Sequence, residues 1–233
     1  MTSDTATTDN RRSRPLPRRQ KRPRGGWLAA AGLVLLSLIP VLGGAFRITD
    51  LSGGTITADN ARFFASPIPV IAHVLGATVY CLLGSFQFVP SLRGRRGWHR
   101  VAGRILIPAG LIAALSGLWM AAFYSSPDGD SALLLTIRLA FGSAMVACIV
   151  LGSRAIWRRD FSAHGAWMTR AYALGIAAGT QAIVLAFWIL GVGPLDSLTD
   201  ALLMGAAWAI NAAVAEFVIL RRAGLARASR SAP

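Results

Sequence analysis

The chain has 233 residues, of which 54% are hydrophobic and only 15% are charged. An average soluble domain is about 25% charged, whereas residues 63–92 of this chain contain no Asp, Glu, Lys or Arg at all. A helix that spans a bilayer needs roughly 20 apolar residues. The distribution therefore excludes a soluble protein and indicates one that crosses a membrane several times.

The predicted fold class is all-α, a polytopic membrane bundle of six transmembrane helices. At about 1.5 Å of rise per residue, 20 to 24 residues cover the ~30 Å hydrocarbon core. In chain order the predicted spans are 27–46, 67–90, 101–124, 132–153, 171–190 and 201–220. Residues 1–26 are polar and basic with interspersed prolines, so we expect a disordered tail. Residues 221–233 form a second basic tail.

Basic residues predict the orientation. Of the 24 Lys and Arg residues, 21 lie in the two tails and in the segments around the second-to-third and fourth-to-fifth connections. Only Arg47 and Arg62 lie in the other connections, and Arg138 lies inside a span. By the positive-inside rule both termini are cytoplasmic.

The formal net charge of +14 would suggest nucleic acid in a soluble protein. Here it is explained by topology, so no nucleic-acid partner is expected. The basic tails either anchor the topology or contact anionic lipid. Arginine supplies 23 of the 24 basic residues, a bias typical of GC-rich bacterial genomes, and we expect the inner membrane of a bacterial cell.

Cysteine spacing and nucleotide-binding motifs exclude several functions. Cys81 and Cys148 both fall inside predicted spans, where they act as small buried hydrophobes rather than as a disulfide framework. The chain has no C-x-x-C-H, Walker or G-x-G-x-x-G motif. Covalent c-type haem attachment and nucleotide hydrolysis therefore have no support.

Polar residues inside the membrane are the candidates for function, because each costs several kcal/mol unless it is paired. His73 and Arg138 have matching depth in the predicted outer half, and we expect them to share a pocket. Glu216 lies in the inner third of the sixth span, and we expect it to pair with Arg170 or Arg104. The residues predicted at the inner boundary are Gln87, His99, Arg100, Arg104, His164 and Arg170.

Helical spacing places small and polar residues on common faces. In the second span one face carries His73, Gly76, Tyr80, Gly84 and Gln87. In the third span one stripe carries His99, Gly103, Gly110 and Gly117. Glycines on one face allow a second helix or a flat ligand to approach closely.

An internal repeat is also predicted. Cys81 is followed by a Leu-Gly-Ser string in the second span, and Cys148 by the same string in the fourth. A basic connection and a histidine follow each string. Spans two and three would thus repeat spans four and five in parallel, which makes His99 and His164 equivalent.

These residues resemble a known family. The strings that carry the resemblance are residues 84–88 (Gly-Ser-Phe-Gln-Phe), 98–104 (Trp-His-Arg-Val-Ala-Gly-Arg) and 164–172 (His-Gly-Ala-Trp-Met-Thr-Arg-Ala-Tyr). They are similar to the bacterial predicted integral membrane proteins of the domain of unknown function 2306 family, over roughly residues 65 to 190. The resemblance implies a membrane location and singles out these positions, but it implies no reaction. It also leads us to expect an arginine near the middle of the fifth span, where this chain has Thr180 and Gln181.

Three functions remain open from the sequence. The first is an accessory or assembly protein whose His and Arg residues are interfacial anchors. The second is a membrane electron-transfer protein that holds a b-type haem or a metal between His99 and His164. In that hypothesis Gly103 gives the macrocycle room, and the propionates meet Arg100, Arg104 or Arg170.

The third function is a small-molecule transporter. Its polar lining would be Gln87, Tyr80, Gln181, Asn211 and Glu216. No nucleophile with an obvious base stands out, so the sequence assigns no enzymatic reaction. It also leaves the redox or assembly partner open.

Overall fold

The protein is a bundle of long α-helices, described by a computed structural model over residues 25–93, 96–125 and 131–231. No strand occurs in these three ranges. The helices are α1 (Gly25–Leu51), α2 (Ala61–Ala65), α3 (Pro67–Ser85), α4 (Pro90–Arg93), α5 (Arg96–Phe123), α6 (Ala132–Trp157), α7 (Phe161–Gly175), α8 (Ala177–Gly191) and α9 (Ser197–Ser231). Most of the predicted N-terminal tail, residues 1–24, lies outside the described residues.

Six helical segments are long and apolar enough to cross a membrane, as the sequence predicts. They are Gly26–Leu51, Pro67–Phe88, Gly97–Phe123, Ala132–Trp157, Phe161–Gly191 and Ser197–Leu225. Large apolar side chains such as Leu190 and Phe187, 86% and 74% exposed, cover the outside of the bundle. An aqueous surface would not tolerate this coverage, and a lipid-facing surface requires it. The protein is therefore an all-α, multi-pass membrane protein.

Helix ends differ from the predicted spans at the basic boundaries. Helix α5 of the third span begins at Arg96, and helix α7 of the fifth span begins at Phe161. His99, His164 and Arg170 therefore lie on helices rather than in connections. Asp160 caps the fifth span, since its Oδ1 accepts from the Ala163 amide at 2.9 Å. Helix α9 of the sixth span continues beyond residue 220 to Ser231, so the basic C-terminal segment is helical over its described part.

The centre of the bundle is built from spans two to five. α3 packs against α5, α5 against α6, and α6 against α7, while α1 packs on α3 and α8, and α9 on α6, α7 and α8. The core side chains include Tyr80, Cys81, Cys148, Ile149 and Tyr172. Both cysteines are buried and free, which confirms their predicted role as small hydrophobes.

Several glycines of the spans pack closely against neighbouring helices. A Cβ at Gly76 would lie 2.9 Å from the carbonyl oxygen of Ala109, so the second and third spans touch backbone to backbone. Gly179 in the fifth span would meet the carbonyl oxygen of Leu36 in the first. Gly103, in contrast, has no neighbour within 4 Å of its Cβ position. The stripe of the third span is thus a packing surface only over its later turns.

Candidate functional site

A cavity of about 440 Å³ opens among the spans, from their predicted outer ends to the middle of the bundle. Side chains of all six spans line it, from Ser37 in the first to Trp208 in the sixth. His73 and Arg138 both belong to its lining. The two residues that the sequence predicts to share a pocket thus line the same cavity.

His73 is fixed at the wall of the cavity by the third span. Its Nδ1 lies 2.8 Å from the carbonyl oxygen of Ala113 and 3.4 Å from the hydroxyl of Ser116. A carbonyl oxygen only accepts, so Nδ1 donates and carries the proton. The ring packs on Gly117, where a Cβ would lie 3.2 Å from Cε1. Gly117 is thus the residue that admits the imidazole.

Arginine side chains give the cavity its charge. Arg138 reaches it from the fourth span and Arg62 from the connection before the second. Arg62 donates from a terminal guanidinium nitrogen to the carbonyl oxygen of Ser125 at 3.1 Å and lies 4.9 Å above the ring of Phe63. No Asp or Glu occurs among the described residues that line the cavity.

Gln181 lines the cavity and has an unused hydrogen-bond donor. Its side chain is only 9% exposed. Within the described part of the chain its Nε2 has no hydrogen-bond partner. A buried amide without a partner costs roughly 1–3 kcal/mol, and each such atom in a protein calls for an explanation.

The fifth span is interrupted beside this amide. Helix α7 ends at Gly175 and α8 begins at Ala177, and both Gly175 and Ile176 line the cavity. Neighbouring spans bond the backbone at the break: Asn211 Nδ2 donates to the Ala173 carbonyl at 3.0 Å, and the Cys81 thiol to the Gly175 carbonyl at 3.6 Å. Such partners make a break tolerable inside a membrane.

Glu216 and Arg170 form the ion pair that the sequence predicts. Arg170 Nε donates to Glu216 Oε1 at 2.5 Å and Nη2 to Oε2 at 2.8 Å, a two-point contact. The Arg170 guanidinium also lies 4.8 Å from the ring centre of Trp167. The pair joins the fifth span to the sixth. The haem hypothesis assigns Arg170 to a propionate, but in this structure its guanidinium binds Glu216 instead.

The other two histidines have separate partners. His99 Nδ1 contacts Gln87 Oε1, and His164 Nδ1 lies 2.8 Å from the carbonyl oxygen of Gly152. Arg100 and Arg104 are exposed. Across the described ranges no three His, Cys, Asp or Glu side chains are grouped as metal ligands would be.

Two parts of the site were not predicted from the sequence. Arg62 was interpreted only as a loop residue, although it is one of just two basic residues in the predicted outer connections, and that rarity is the signal. The break at Ile176 has no signal of its own except the nearby pair Gly175 and Gly179. Of the predicted transporter lining, Tyr80 and Gln181 line the cavity, whereas Asn211 and Glu216 bind other groups.

Comparison with known proteins identifies a family. No curated protein and no solved structure matches the chain. The family model described as a predicted membrane protein, DUF2306, matches residues 70–219. That range contains the strings quoted above and five of the six spans, so the chain belongs to the DUF2306 family of predicted membrane proteins.

Proposed function

We propose that the protein binds a small molecule inside the membrane and acts as its carrier or transporter. The observation that carries the proposal is Gln181, whose buried Nε2 has no partner in the described protein and which lines the cavity. A ligand acceptor would satisfy this donor. The cavity volume of about 440 Å³ falls within the roughly 300–1,000 Å³ that ligand sites occupy.

The interrupted fifth span supports the same proposal. Transporters place binding sites near the bilayer midplane, where a discontinuous helix lines a cavity. Here Gly175 and Ile176 line the cavity, and Gln181 follows one turn later on α8. The break also supplies a position at which the two halves of the span can move relative to each other.

Blocking the cavity tests the proposal. Ala77 lines the cavity, so Ala77→Phe fills part of it, while Ala140→Phe makes the same change at an exposed position of the fourth span. Native mass spectrometry of the purified protein should detect a co-purifying small molecule in the wild type and in Ala140→Phe. Ala77→Phe should lose it. Equal retention by both variants, with both folded, would contradict the proposal.

A b-type haem between His99 and His164 is a second candidate. Both rings donate from Nδ1 to an oxygen, which directs Nε2 outward, as in histidines that bind a metal. Gly103 faces open space and leaves room beside His99. An absorption spectrum tests it: a Soret band that disappears in both His99→Ala and His164→Ala supports haem, and a colourless protein from haem-supplemented cells removes it.

The remaining expectations stay proposals. The accessory or assembly role has no contact in the described structure that favours it over ligand binding. The bacterial inner membrane and the contact of the basic tails with anionic lipid rest on the charge distribution alone.

A further inference from the structure

We infer that the cavity takes a neutral, lipid-soluble ring compound with two oxygen groups, a hydroxyl that donates to His73 and a second oxygen that accepts from Gln181. Phenols and quinols with an apolar tail belong to this class. The inference rests on the proposed function and names the chemical class of its ligand. It is carried by two side chains of opposite hydrogen-bonding character in one lining, by their different depths, and by the aromatic wall of the cavity.

His73 offers the cavity a hydrogen-bond acceptor. Its Nδ1 donates to the Ala113 carbonyl oxygen at 2.8 Å, and its Cε1 lies against Gly117, so the third span occupies one edge of the ring. In the described part of the chain the polar contacts of the ring, to Ala113 and Ser116, are both made by Nδ1. A charged imidazole is expensive inside a membrane, and in the neutral ring the other nitrogen, Nε2, accepts. A ligand hydroxyl would donate to it.

Gln181 offers the cavity a hydrogen-bond donor. Its Nε2 is buried and has no partner among the described residues. The hydroxyl of the preceding residue, Thr180, is already used, since it donates to Asn211 Oδ1 at 2.9 Å. An amide nitrogen donates and does not accept, so the ligand must bring an acceptor oxygen to Gln181.

The acceptor and the donor lie at different depths. His73 is six residues after Pro67, where α3 begins, and Gln181 is ten residues before Gly191, where α8 ends. Both of these helix ends are on the predicted outer side. At about 1.5 Å of rise per residue, the levels of the two side chains differ by about 6 Å. A single hydroxyl cannot serve both, so the ligand carries two oxygens on a spacer of about the size of a ring.

The wall of the cavity suits a flat, apolar body. Phe141 and Trp208 both line it and stack nearly parallel, with ring centres 5.2 Å apart and an interplanar angle of 14°. The small residues Ala114 and Gly142 also belong to the lining and leave space beside the aromatic rings. A ligand ring packs well against aromatic side chains, and an apolar tail would cover the remaining apolar surface.

Three matched probes test the inference. The octyl ester of para-hydroxyphenylpropanoic acid carries both the hydroxyl and the carbonyl, its para-methoxy ether lacks the donor, and para-dodecylphenol lacks the carbonyl. All three are neutral at about pH 7, because a phenol has a pKa of about 10. Tritiated probes are titrated onto the full-length protein in detergent, and the saturable binding that Ala77→Phe abolishes measures occupation of the cavity. We expect the first probe to bind about ten-fold more tightly than either of the others.

Variants assign each preference to its side chain. Gln181→Leu should abolish the preference for the ester over the alkylphenol and keep the preference for the ester over its ether, and His73→Phe should do the reverse. Thr136→Val removes an exposed hydroxyl of the fourth span that bonds its own helix, and should change either preference less than about two-fold. Because the probes are compared on the wild type, the inference is tested even where His73→Phe fails to fold.

The outcomes separate the ligand class from the proposed function. Equal affinities for the three probes, all lost in Ala77→Phe, would overturn the class and leave the proposed function standing. Preferences that persist in both Gln181→Leu and His73→Phe would overturn the assignment to these side chains. No saturable binding of any probe to the folded wild type would overturn the class as well, and native mass spectrometry of the co-purifying molecule then decides the proposed function separately.

Discussion

Single side chains in this protein are held by groups from other spans. The three histidines share one arrangement, in which Nδ1 contacts an oxygen: that of Ala113 for His73, of Gln87 for His99 and of Gly152 for His164. An imidazole with one nitrogen fixed by a hydrogen bond has a defined tautomer, so each ring presents its Nε2 in a defined direction. Only His73 of the three lines the cavity.

The Arg170–Glu216 pair should contribute measurably to the stability of the bundle. Glu216→Gln keeps the shape of the side chain and removes its charge, which leaves the Arg170 guanidinium without its counter-ion. Intramembrane polar contacts average about 0.6 kcal/mol in double-mutant cycles and reach about 1.7. Since both side chains of this pair are partly exposed, we expect a coupling of about 1 kcal/mol for Arg170→Gln with Glu216→Gln.

The measurement is a double-mutant cycle of unfolding free energies in detergent. Arg222→Gln, an exposed basic residue on the same helix, serves as the control and should show no coupling to Glu216. A coupling close to zero for the Arg170 pair would mean that the contact does not hold the fifth and sixth spans together. Unchanged stability with lost ligand turnover in Glu216→Gln would instead assign the carboxylate to proton exchange.

The fifth span is positioned by a close glycine contact and by hydrogen bonds to the backbone where its helix is interrupted. The close approach of Gly179 to the Leu36 carbonyl brings the first span against the fifth. Three residues earlier the fifth span is interrupted, and Asn211, which also accepts from the Thr180 hydroxyl at 2.9 Å, bonds the freed carbonyl of Ala173. The sixth span thus contacts the fifth just before its interruption, at Ala173, and the first span contacts it just after, at Gly179.

Gly179→Ala tests this arrangement. Alanine normally favours a helix over glycine by about 1 kcal/mol, but here the added Cβ overlaps the backbone of Leu36, which cannot rotate away. We expect a net loss of about 1–3 kcal/mol of unfolding free energy, as for overpacking of a well-packed core. Gly165→Ala, in the same span with nothing within 4 Å of its Cβ position, should be neutral or stabilising.

The thermal unfolding midpoints of the two variants give the comparison. A Gly179→Ala variant as stable as Gly165→Ala would show that the first span does not pack on the fifth at this position.

Apolar length predicted the spans, but not their inner ends or the cavity. The fifth span was predicted to start ten residues too late, because Arg158, Arg159 and Arg170 mark the membrane boundary in the sequence while helical hydrogen bonding continues past it. The glycine face from Gly76 to Gly84 was predictable because helical periodicity is a local property. The break at Ile176 was not, because its partners Asn211 and Cys81 come from other spans.

The candidate site likewise contains residues that the sequence predicted and residues that it did not. His73 and Arg138 were predicted to lie together from depth alone, since each is expensive unless partnered. Arg62 was not included, because its position depends on the short helix α2 and on the contact with Ser125. The unused donor of Gln181 is visible only once every neighbour is in place.

For the whole molecule, the distribution of basic residues predicts how the bundle is oriented in the membrane. The family match and the six candidate spans of the described residues show a multi-pass membrane protein, and the predicted topology of six crossings puts both termini on the same side. The positive-inside rule predicts that this side is cytoplasmic, since 21 of 24 basic residues lie there. In that orientation the cavity, whose lining includes Arg62, lies toward the outer leaflet.

Cysteine labelling from outside intact cells tests the orientation. Both native cysteines are buried, so the background is low and single substitutions can be compared. Thr55→Cys and Asp196→Cys, exposed in connections on the predicted outer side, should react with a membrane-impermeant maleimide before lysis. Ser162→Cys, exposed at the opposite end of the bundle, should react only after lysis. The reverse pattern would invert the topology, and the cavity would then collect its ligand from the cytoplasmic leaflet.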